Sequence, residues 1–332
     1  MQIDFLSVLI TVLSLVALAV PGFILAKMKM LPEKASEACT TIVLYVSQTA
    51  LVFMGFQGQK YDPEIGKNML IAFGLGVLIH LVMVAIMYLC IGNKGNNAKK
   101  NVIKYAGVFG NCGFMGMPFL KMLFPNNGEV MIHCAVVLTV FNILNWTVGV
   151  YMISGDKKQI SIKKVLLNPV IICVVLGFLV FIIAKEPLVD LAVPESMLDK
   201  ALEAFMGSVN LIGNMVTPLS MIVIGMRLAN VNIKQLFLDK GAYIVSFLKL
   251  VVMSVVTMLI VAFLPIDTTV KASLFFLFSM PSAASTAMFA IKFNGDGDFG
   301  SVVVLLSTIL SILIIPLMFL VFTGVFGIVI NV

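Results

Sequence analysis

Charged residues are scarce in this 332-residue chain: 11% of the residues are charged, 61% are hydrophobic and the mean hydropathy is +1.11. A soluble domain carries about 25% charged residues, so the composition excludes an ordinary soluble protein. The apolar residues come in blocks of about twenty, each long enough to cross a hydrocarbon core of roughly 30 Å as a helix. Ten-residue alternating strands, which a membrane barrel needs, are absent. The sequence predicts an all-α polytopic membrane protein.

Motifs for catalysis and for metal binding are also missing. The chain has two histidines and five cysteines, and no CxxC spacing that would indicate zinc or a disulfide framework. It has no HExxH, no GxSxG and no P-loop GK[ST] motif, and no carboxylate lies clearly at the centre of an apolar block. We therefore expect neither an enzyme nor a bound cofactor.

The net charge of +6 is unevenly distributed along the chain. The loops after the odd-numbered predicted spans hold fifteen Lys and Arg residues, Lys94 among them, and those after the even-numbered spans hold six. The positive-inside rule then puts both termini outside a plasma or inner membrane, so the charge indicates topology and not nucleic-acid binding. The spans are predicted at 5–25, 37–57, 67–91, 101–123, 129–153, 164–183, 202–226, 240–263, 270–293 and 300–325.

Two of these spans contain residues that weaken helices. The stretch GVFGNCGFMGMP ends at Pro118 and has glycine at every third position, and a second stretch, SMPSAAST, contains Pro281. Within a helix Gly costs about 1 kcal/mol and Pro about 3 kcal/mol relative to Ala. The two prolines are 163 residues apart, close to half the chain. This spacing predicts two five-helix repeats, 1–155 and 160–332, which are inverted because five is odd.

The paired interruptions predict a function as well as a fold. We expect the segment from Gly110 to Pro118 and the segment around Pro281 to be unwound, so that the fourth and ninth spans break and cross near the midplane. Half-helix N-termini carry partial positive charge and would favour an anion without a costly buried Arg or Lys. This favours a secondary active carrier of small organic anions. The alternative is that the prolines only kink helices and the glycines only allow close packing.

Asn111 is the leading candidate for binding the anion, because a neutral amide both donates and accepts hydrogen bonds; the alternative is that it caps a half-helix. Hydroxyl groups after Pro281 either face the substrate or bond to their own helix. Polar residues of the second and seventh spans either line the cavity or bond between helices. The candidate substrate-binding residues are Asn111, Cys112, Gly113, Pro118, Pro281, Ser282, Ser285, Thr286, Gln48 and Asn214.

Three further polar residues lie inside apolar spans. His80 and His133 either take part in proton coupling or are neutral packing residues. Lys249 either pairs with the anion or extends its amine toward the membrane surface. Coupling to H+ or Na+ is therefore one alternative and uniport the other.

The sequence resembles the auxin efflux carrier family, whose bacterial members are often called malate or malonate permeases. GNCGFMGMP, from Gly110 to Pro118, is similar to the family's GNxGFxGxP. Further similarities are Asn168-Pro169, Met280-Pro281, LSTILS at 306–311 and Pro316.

The resemblance covers nearly the whole chain. It implies a ten-helix homodimeric carrier of small organic anions with crossed fourth and ninth helices, a plan shared with bile-acid-type carriers and sodium/proton antiporters. The sequence departs from the family pattern at Ser285, where many relatives have Asn, and at Lys292-Phe293, where they often have an acid and Tyr. Auxin is therefore not assigned as substrate. The alternatives are a receptor that binds an organic anion without moving it, and a bile-acid-type ion-coupled symporter.

Overall fold

The computed structural model describes residues 3–32, 34–92, 97–125, 127–231 and 233–330, and of residues 233–235 the backbone alone. Lys94 lies outside the described residues. Every regular element in these ranges is a helix, and eight of the helices are long and apolar enough to cross a membrane. The helices are α1 (Phe5–Lys27), α2 (Ala35–Gln57), α3 (Pro63–Ile91), α4 (Ala98–Val108), α5 (Cys112–Leu123), α6 (Gly128–Ser154), α7 (Pro169–Leu191), α8 (Met197–Asn230), α9 (Lys240–Val261), α10 (Thr268–Ser279), α11 (Ser285–Lys292) and α12 (Gly297–Phe326). Short helices Lys157–Gln159, Ile162–Leu166 and Ile233–Leu238 lie between them.

The expectation of an all-helical polytopic membrane protein is confirmed. Eight predicted spans correspond to single long helices, and the fourth and ninth each correspond to two short helices, α4 with α5 and α10 with α11. The sixth begins at Pro169 and not at residue 164, because the Asn168 side chain accepts a hydrogen bond from the Val170 N–H and caps the helix there.

Short polar side chains set where most helices begin. Each accepts a backbone N–H of the first turn, an arrangement that stabilises a helix by about 1 kcal/mol. These capping residues are Asp4, Asp62, Asn97, Asn127, Asn168, Ser196, Asp239, Asp267 and Asp296.

Close backbone contact joins α1 to the second half of α8. A Cβ at Gly22 would overlap the carbonyl of Ile222, and a Cβ at Gly225 would overlap the carbonyl of Ala19. Small residues permit this approach between membrane helices. At the ends of the described chain, the Ile3 N–H donates to the Ile330 carbonyl at 2.9 Å, so both ends lie on the same side of the helix bundle.

The first interruption is shorter than the sequence predicts. Only Phe109 to Asn111 lies outside the helices, so the expectation of unwinding as far as Pro118 is wrong. A wide π turn occupies Cys112–Gly116, and the Met117 N–H bonds to the Cys112 carbonyl. The Phe114 carbonyl, four residues before Pro118, accepts a hydrogen bond from Ser220 Oγ of α8 at 2.8 Å, so the donor that proline lacks is replaced and the helix continues through Pro118. The second interruption covers residues 280–284 and includes Pro281.

Candidate functional site

The two interruptions are hydrogen-bonded to each other through their backbones. The Asn111 N–H donates to the Pro281 carbonyl at 2.7 Å, and the Ala283 N–H donates to the Phe109 carbonyl at 2.9 Å. These two bonds form a short antiparallel bridge. Each unwound segment therefore satisfies polar groups of the other in a buried environment, where an unpaired N–H or C=O is costly.

Ser282 ties the second interruption to two more helices. Its Oγ donates to the Ala106 carbonyl of α4 at 3.0 Å, and its N–H donates to Ser307 Oγ of α12 at 3.1 Å. The side chain is fully buried. Ser282 therefore holds the shape of the unwound segment, and its hydroxyl is already engaged.

A cavity of about 450 Å³ lies beside the two interruptions. Residues of both interruptions and of α2, α5, α6, α8 and α11 line it, together with the segment that leads into α7. One part of the wall is apolar and aromatic, formed by Leu138, Phe141, Trp146, Met288 and Phe289. The volume is in the range of small-molecule sites.

Four basic residues line the cavity: Lys163, Lys164, Arg227 and Lys292. No Asp or Glu is among the lining residues, and none of the four forms an ion pair with a carboxylate in the part of the chain that the structure describes. The Nζ atoms of Lys164 and Lys292 lie 5.2 and 5.3 Å from the centroid of the Trp146 ring, within the range of cation–π attraction. The cavity is therefore a positively charged space.

Arg227 contacts the second interruption directly. Its Nη1 donates to the Ala284 carbonyl at 2.8 Å, and its Nη2 donates to Thr40 Oγ1 of α2 at 3.2 Å. Glu37, one turn earlier on α2, is exposed and does not line the cavity. A guanidinium has five N–H donors, so Arg227 keeps donors beyond these two contacts.

Arg227 was not among the predicted site residues, because from the sequence it counted only as a loop charge. The signal was available: Arg227 is the only arginine in the chain and lies in the last turn of an apolar helix.

Two buried amide groups line the cavity. Asn111 and Gln48 are 3% and 1% exposed, and neither Asn111 Nδ2 nor Gln48 Nε2 has a hydrogen-bond partner among the described residues. The Gln48 amide lies against Gly113, where an added Cβ would overlap Nε2. A buried donor without a partner is costly, so both groups are free to bind an acceptor inside the cavity.

A hydroxyl network joins three helices at the cavity wall. The Tyr105 hydroxyl of α4 donates to Asn145 Oδ1 of α6 at 2.6 Å, which leaves Ser285 Oγ of α11 to donate to the Tyr105 oxygen at 3.1 Å. Asn145 and Ser285 line the cavity. Neither Tyr105 nor Asn145 was predicted from the sequence, although Asn145, a polar residue within an apolar span, carried the same signal as Asn111 and Gln48.

Gln48, Asn111, Gly113 and Ser285 are the four predicted site residues that line this cavity. The others lie elsewhere in the described structure. Cys112 directs its Sγ to the Leu277 carbonyl at 3.4 Å, and Asn214 Oδ1 accepts a hydrogen bond from Lys121 Nζ at the exposed side of α8. Pro118 is buried within α5, Pro281 and Ser282 take part in the bonds described above, and Thr286 is buried with an unpartnered Oγ1. The binding roles of all ten stay predictions.

The two histidines also lie outside the cavity lining. His80 Nδ1 is 2.8 Å from the Gly76 carbonyl, and its ring packs against Phe278 with a centroid distance of 4.8 Å. His133 Nδ1 is 3.3 Å from Ser273 Oγ, and its Nε2 is 3.6 Å from Glu129 Oε1. Their role in proton coupling is still a prediction.

Membrane-length helices around a solute-sized, positively charged cavity define a multi-pass membrane protein of the transporter class. The family model described as Membrane transport protein matches residues 7–319. The chain therefore belongs to this family, the auxin efflux carrier family, as the sequence motifs indicated. Members of the family are membrane transporters and not enzymes. No curated protein matches the chain.

Proposed function

We propose that this protein is a secondary active transporter of small organic anions, mono- or dicarboxylates, that binds its substrate in the cavity beside the two interruptions. The observation that carries the proposal is the cavity's charge: among the residues that the structure describes, four cationic side chains and no carboxylate line it. Arg227, half-buried in a membrane-length helix, forms no ion pair with a carboxylate among the described residues, and an unpaired charge inside a membrane protein is costly. A bound carboxylate would supply the missing negative charge.

Arg227 and the two free amides define how the carboxylate would bind. An arginine fork binds a carboxylate through two parallel hydrogen bonds, and Arg227 lies at the second interruption. Asn111 Nδ2 and Gln48 Nε2 offer unpartnered donors at the first interruption. The N-termini of α5 and α11 begin at the interruptions and add partial positive charge.

The apolar part of the wall would hold the remainder of the substrate. Phe141, Trp146 and Phe289 line it, and aromatic side chains bury a hydrocarbon body while leaving a charged end to the polar groups. Malate, malonate and monocarboxylates of similar size are therefore the first candidates.

The proposal includes a topology of ten spans as two inverted repeats, with α4–α5 and α10–α11 each crossing as one broken helix. The antiparallel bonds between the interruptions and the contact of Ile3 with Ile330 support it. Lys163, Lys164 and Lys292 come from the lysine-rich side, which the positive-inside rule assigns to the cytoplasm. The cavity would then face inward, and both termini outward. Alternating access by an elevator or rocking motion, in a homodimer of the plasma or inner membrane, completes the proposal.

Counterflow into proteoliposomes tests the proposal. Purified protein would be preloaded with unlabelled malonate, malate or benzoate and exposed to the same compound in radiolabelled form, with choline as a cationic comparison. We expect transient accumulation of at least one carboxylate and none of choline. Liposomes without protein are the control.

If no carboxylate from a broad panel exchanges, the transport proposal fails. A thermal-shift screen of the same panel then identifies the alternative, because a ligand that binds the native state raises its stability by mass action. Binding without exchange would indicate a receptor.

A further inference from the structure

Lys249 is a fully buried lysine in α9 that the cavity does not use. Its exposed fraction is 0%, it does not line the cavity, and no carboxylate within the described ranges forms an ion pair with it. Its Nζ donates to the Phe278 carbonyl at 3.0 Å. A buried charge without an opposite charge is costly, so an explanation is needed for what stabilises this ammonium.

The ammonium lies at the C-terminal ends of two half-helices. Phe278 is the penultimate residue of α10. A Cβ at Gly110, two residues beyond the end of α4, would be 2.8 Å from Lys249 Nζ and 2.9 Å from its Cε. Lys249 therefore contacts the first interruption at Gly110 and the last turn of α10 before the second interruption, and its own side chain does not line the cavity.

Helix dipoles explain the position. Each half-helix C-terminus carries about half a negative charge, and each N-terminus about half a positive charge. A single ammonium beside α4 and α10 offsets both negative ends. The positive N-termini of α5 and α11 are then left without compensation, and these are the ends that begin at the cavity.

We propose that the Lys249 ammonium is the resident cation of the paired interruptions, holding the position that a bound metal cation would otherwise occupy. A permanent charge on the chain balances the helix C-termini, so the anion site forms without Na+. The inference rests on the proposed function only for the role of the two N-termini. Lys249 is a positioning residue, because it acts through the backbone at the interruptions and not on the substrate.

Thermal unfolding of the purified, detergent-solubilised protein tests this without any transport substrate. Lys249→Met fills the space without charge, and Lys249→Ala leaves room for a small cation. We expect both to lower the unfolding midpoint by about 5 °C or more, which corresponds to roughly 3–4 kcal/mol for a chain of this length. Relative to choline chloride at equal ionic strength, sodium or methylammonium chloride should restore the unfolding midpoint of Lys249→Ala and leave that of Lys249→Met unchanged.

The opposite results overturn the inference. A buried charge without a balancing role is often replaced by a hydrophobic residue with no loss or with a gain in stability, so an unchanged or raised midpoint for Lys249→Met contradicts it. The inference is also contradicted if neither sodium nor methylammonium raises the unfolding midpoint of Lys249→Ala.

Two further measurements cover the case in which the variants do not fold. Lys249→Gln keeps a donor for Phe278 without the charge, and we expect its midpoint to fall as for Met. In the wild-type protein, sodium and choline should give the same midpoint, and a rise specific to sodium overturns the proposal. Since each readout is stability, failure of anion transport leaves this test intact.

Discussion

The two sides of the paired interruptions differ in how their charge is satisfied. On the cavity side, half-helix N-termini, two unpartnered amides and four cationic side chains surround about 450 Å³. On the other side, the C-terminal ends of two half-helices, α4 and α10, lie beside one buried ammonium, that of Lys249, which does not line the cavity.

The comparison separates a structural role from a binding role. Both sides arise from the same backbone feature, a helix interrupted in an apolar environment. Under the two proposals, Lys249 completes the C-terminal side, whereas the N-terminal side keeps donors and positive charge for an anion. Removing a hydrogen-bond donor or a charge on the cavity side should therefore change anion binding more than stability, and substitutions at Lys249 should do the reverse.

Arg227→Gln should produce the largest change in transport. Truncating one partner of a buried, hydrogen-bonded charge pair costs about 2–5 kcal/mol, so we expect at least a thirtyfold loss in initial uptake of a transported carboxylate. Arg227→Lys keeps the charge but not the two-pronged hydrogen bonding of the guanidinium, so its uptake should lie between that of wild type and that of Arg227→Gln. Equal uptake by wild type and Arg227→Gln would show that Arg227 does not bind the substrate.

Gly113→Ala should have the next largest effect, because the added methyl overlaps Gln48 Nε2. Overpacking costs about 1–3 kcal/mol, so both the unfolding midpoint and uptake should fall. Adding Gln48→Ala should restore the midpoint but not the full uptake. Gly74→Ala is the matched control, because nothing lies within 4 Å of a Cβ there. Equal effects of the two glycine substitutions would contradict the close contact.

Asn111→Ala removes an unpartnered donor from the cavity. A hydrogen bond to a charged group contributes about 1.5–3 kcal/mol, so affinity for the carboxylate should fall about tenfold while the unfolding midpoint without ligand changes little. Isothermal titration measures the first and differential scanning fluorimetry the second. A large loss of stability with unchanged affinity would instead make Asn111 a structural cap.

The double substitution Lys163→Gln and Lys164→Gln should have the smallest effect. Both side chains are exposed at the lysine-rich edge of the cavity, where salt screens charge. We expect a two- to fivefold reduction of uptake at low ionic strength that disappears near 1 M salt, by this screening argument. Lys157→Gln with Lys158→Gln, exposed and outside the cavity lining, should leave uptake unchanged. A salt-independent loss would place these lysines in direct contact with the substrate.

Local sequence predicts that the fourth and ninth spans are interrupted, but not how far they unwind. Gly and Pro indicate where a helix is weak: the first interruption falls in a glycine-rich stretch and the second falls at Pro281. Whether the helix continues through Pro118 after a π turn depends on how Cys112–Gly116 packs, and this segment is entirely buried. The predicted unwinding was therefore too long at its C-terminal end.

The site was only partly predictable for the same reason. Asn111 and Gln48 follow from being polar within apolar spans, and both line the cavity. Asn214 was a candidate as a polar residue of the seventh predicted span, but it lies at the exposed side of α8 beside Lys121. Arg227 was taken for a topology signal, because its position near a helix end is ordinary for a cation. Only the fold shows that this helix end meets an interruption.

The most direct test of the account asks whether the cavity prefers a charged ligand to a neutral one of the same shape. Competition against uptake would compare a transported carboxylate with its primary amide, a neutral analogue of nearly the same shape, in wild type and in Arg227→Gln. We expect the carboxylate to compete at least tenfold better in wild type, since hydrogen bonds to a charged group are the stronger ones, and this preference to vanish in the variant. Equal competition by the amide in wild type would contradict the claim that the cavity recognises an anion.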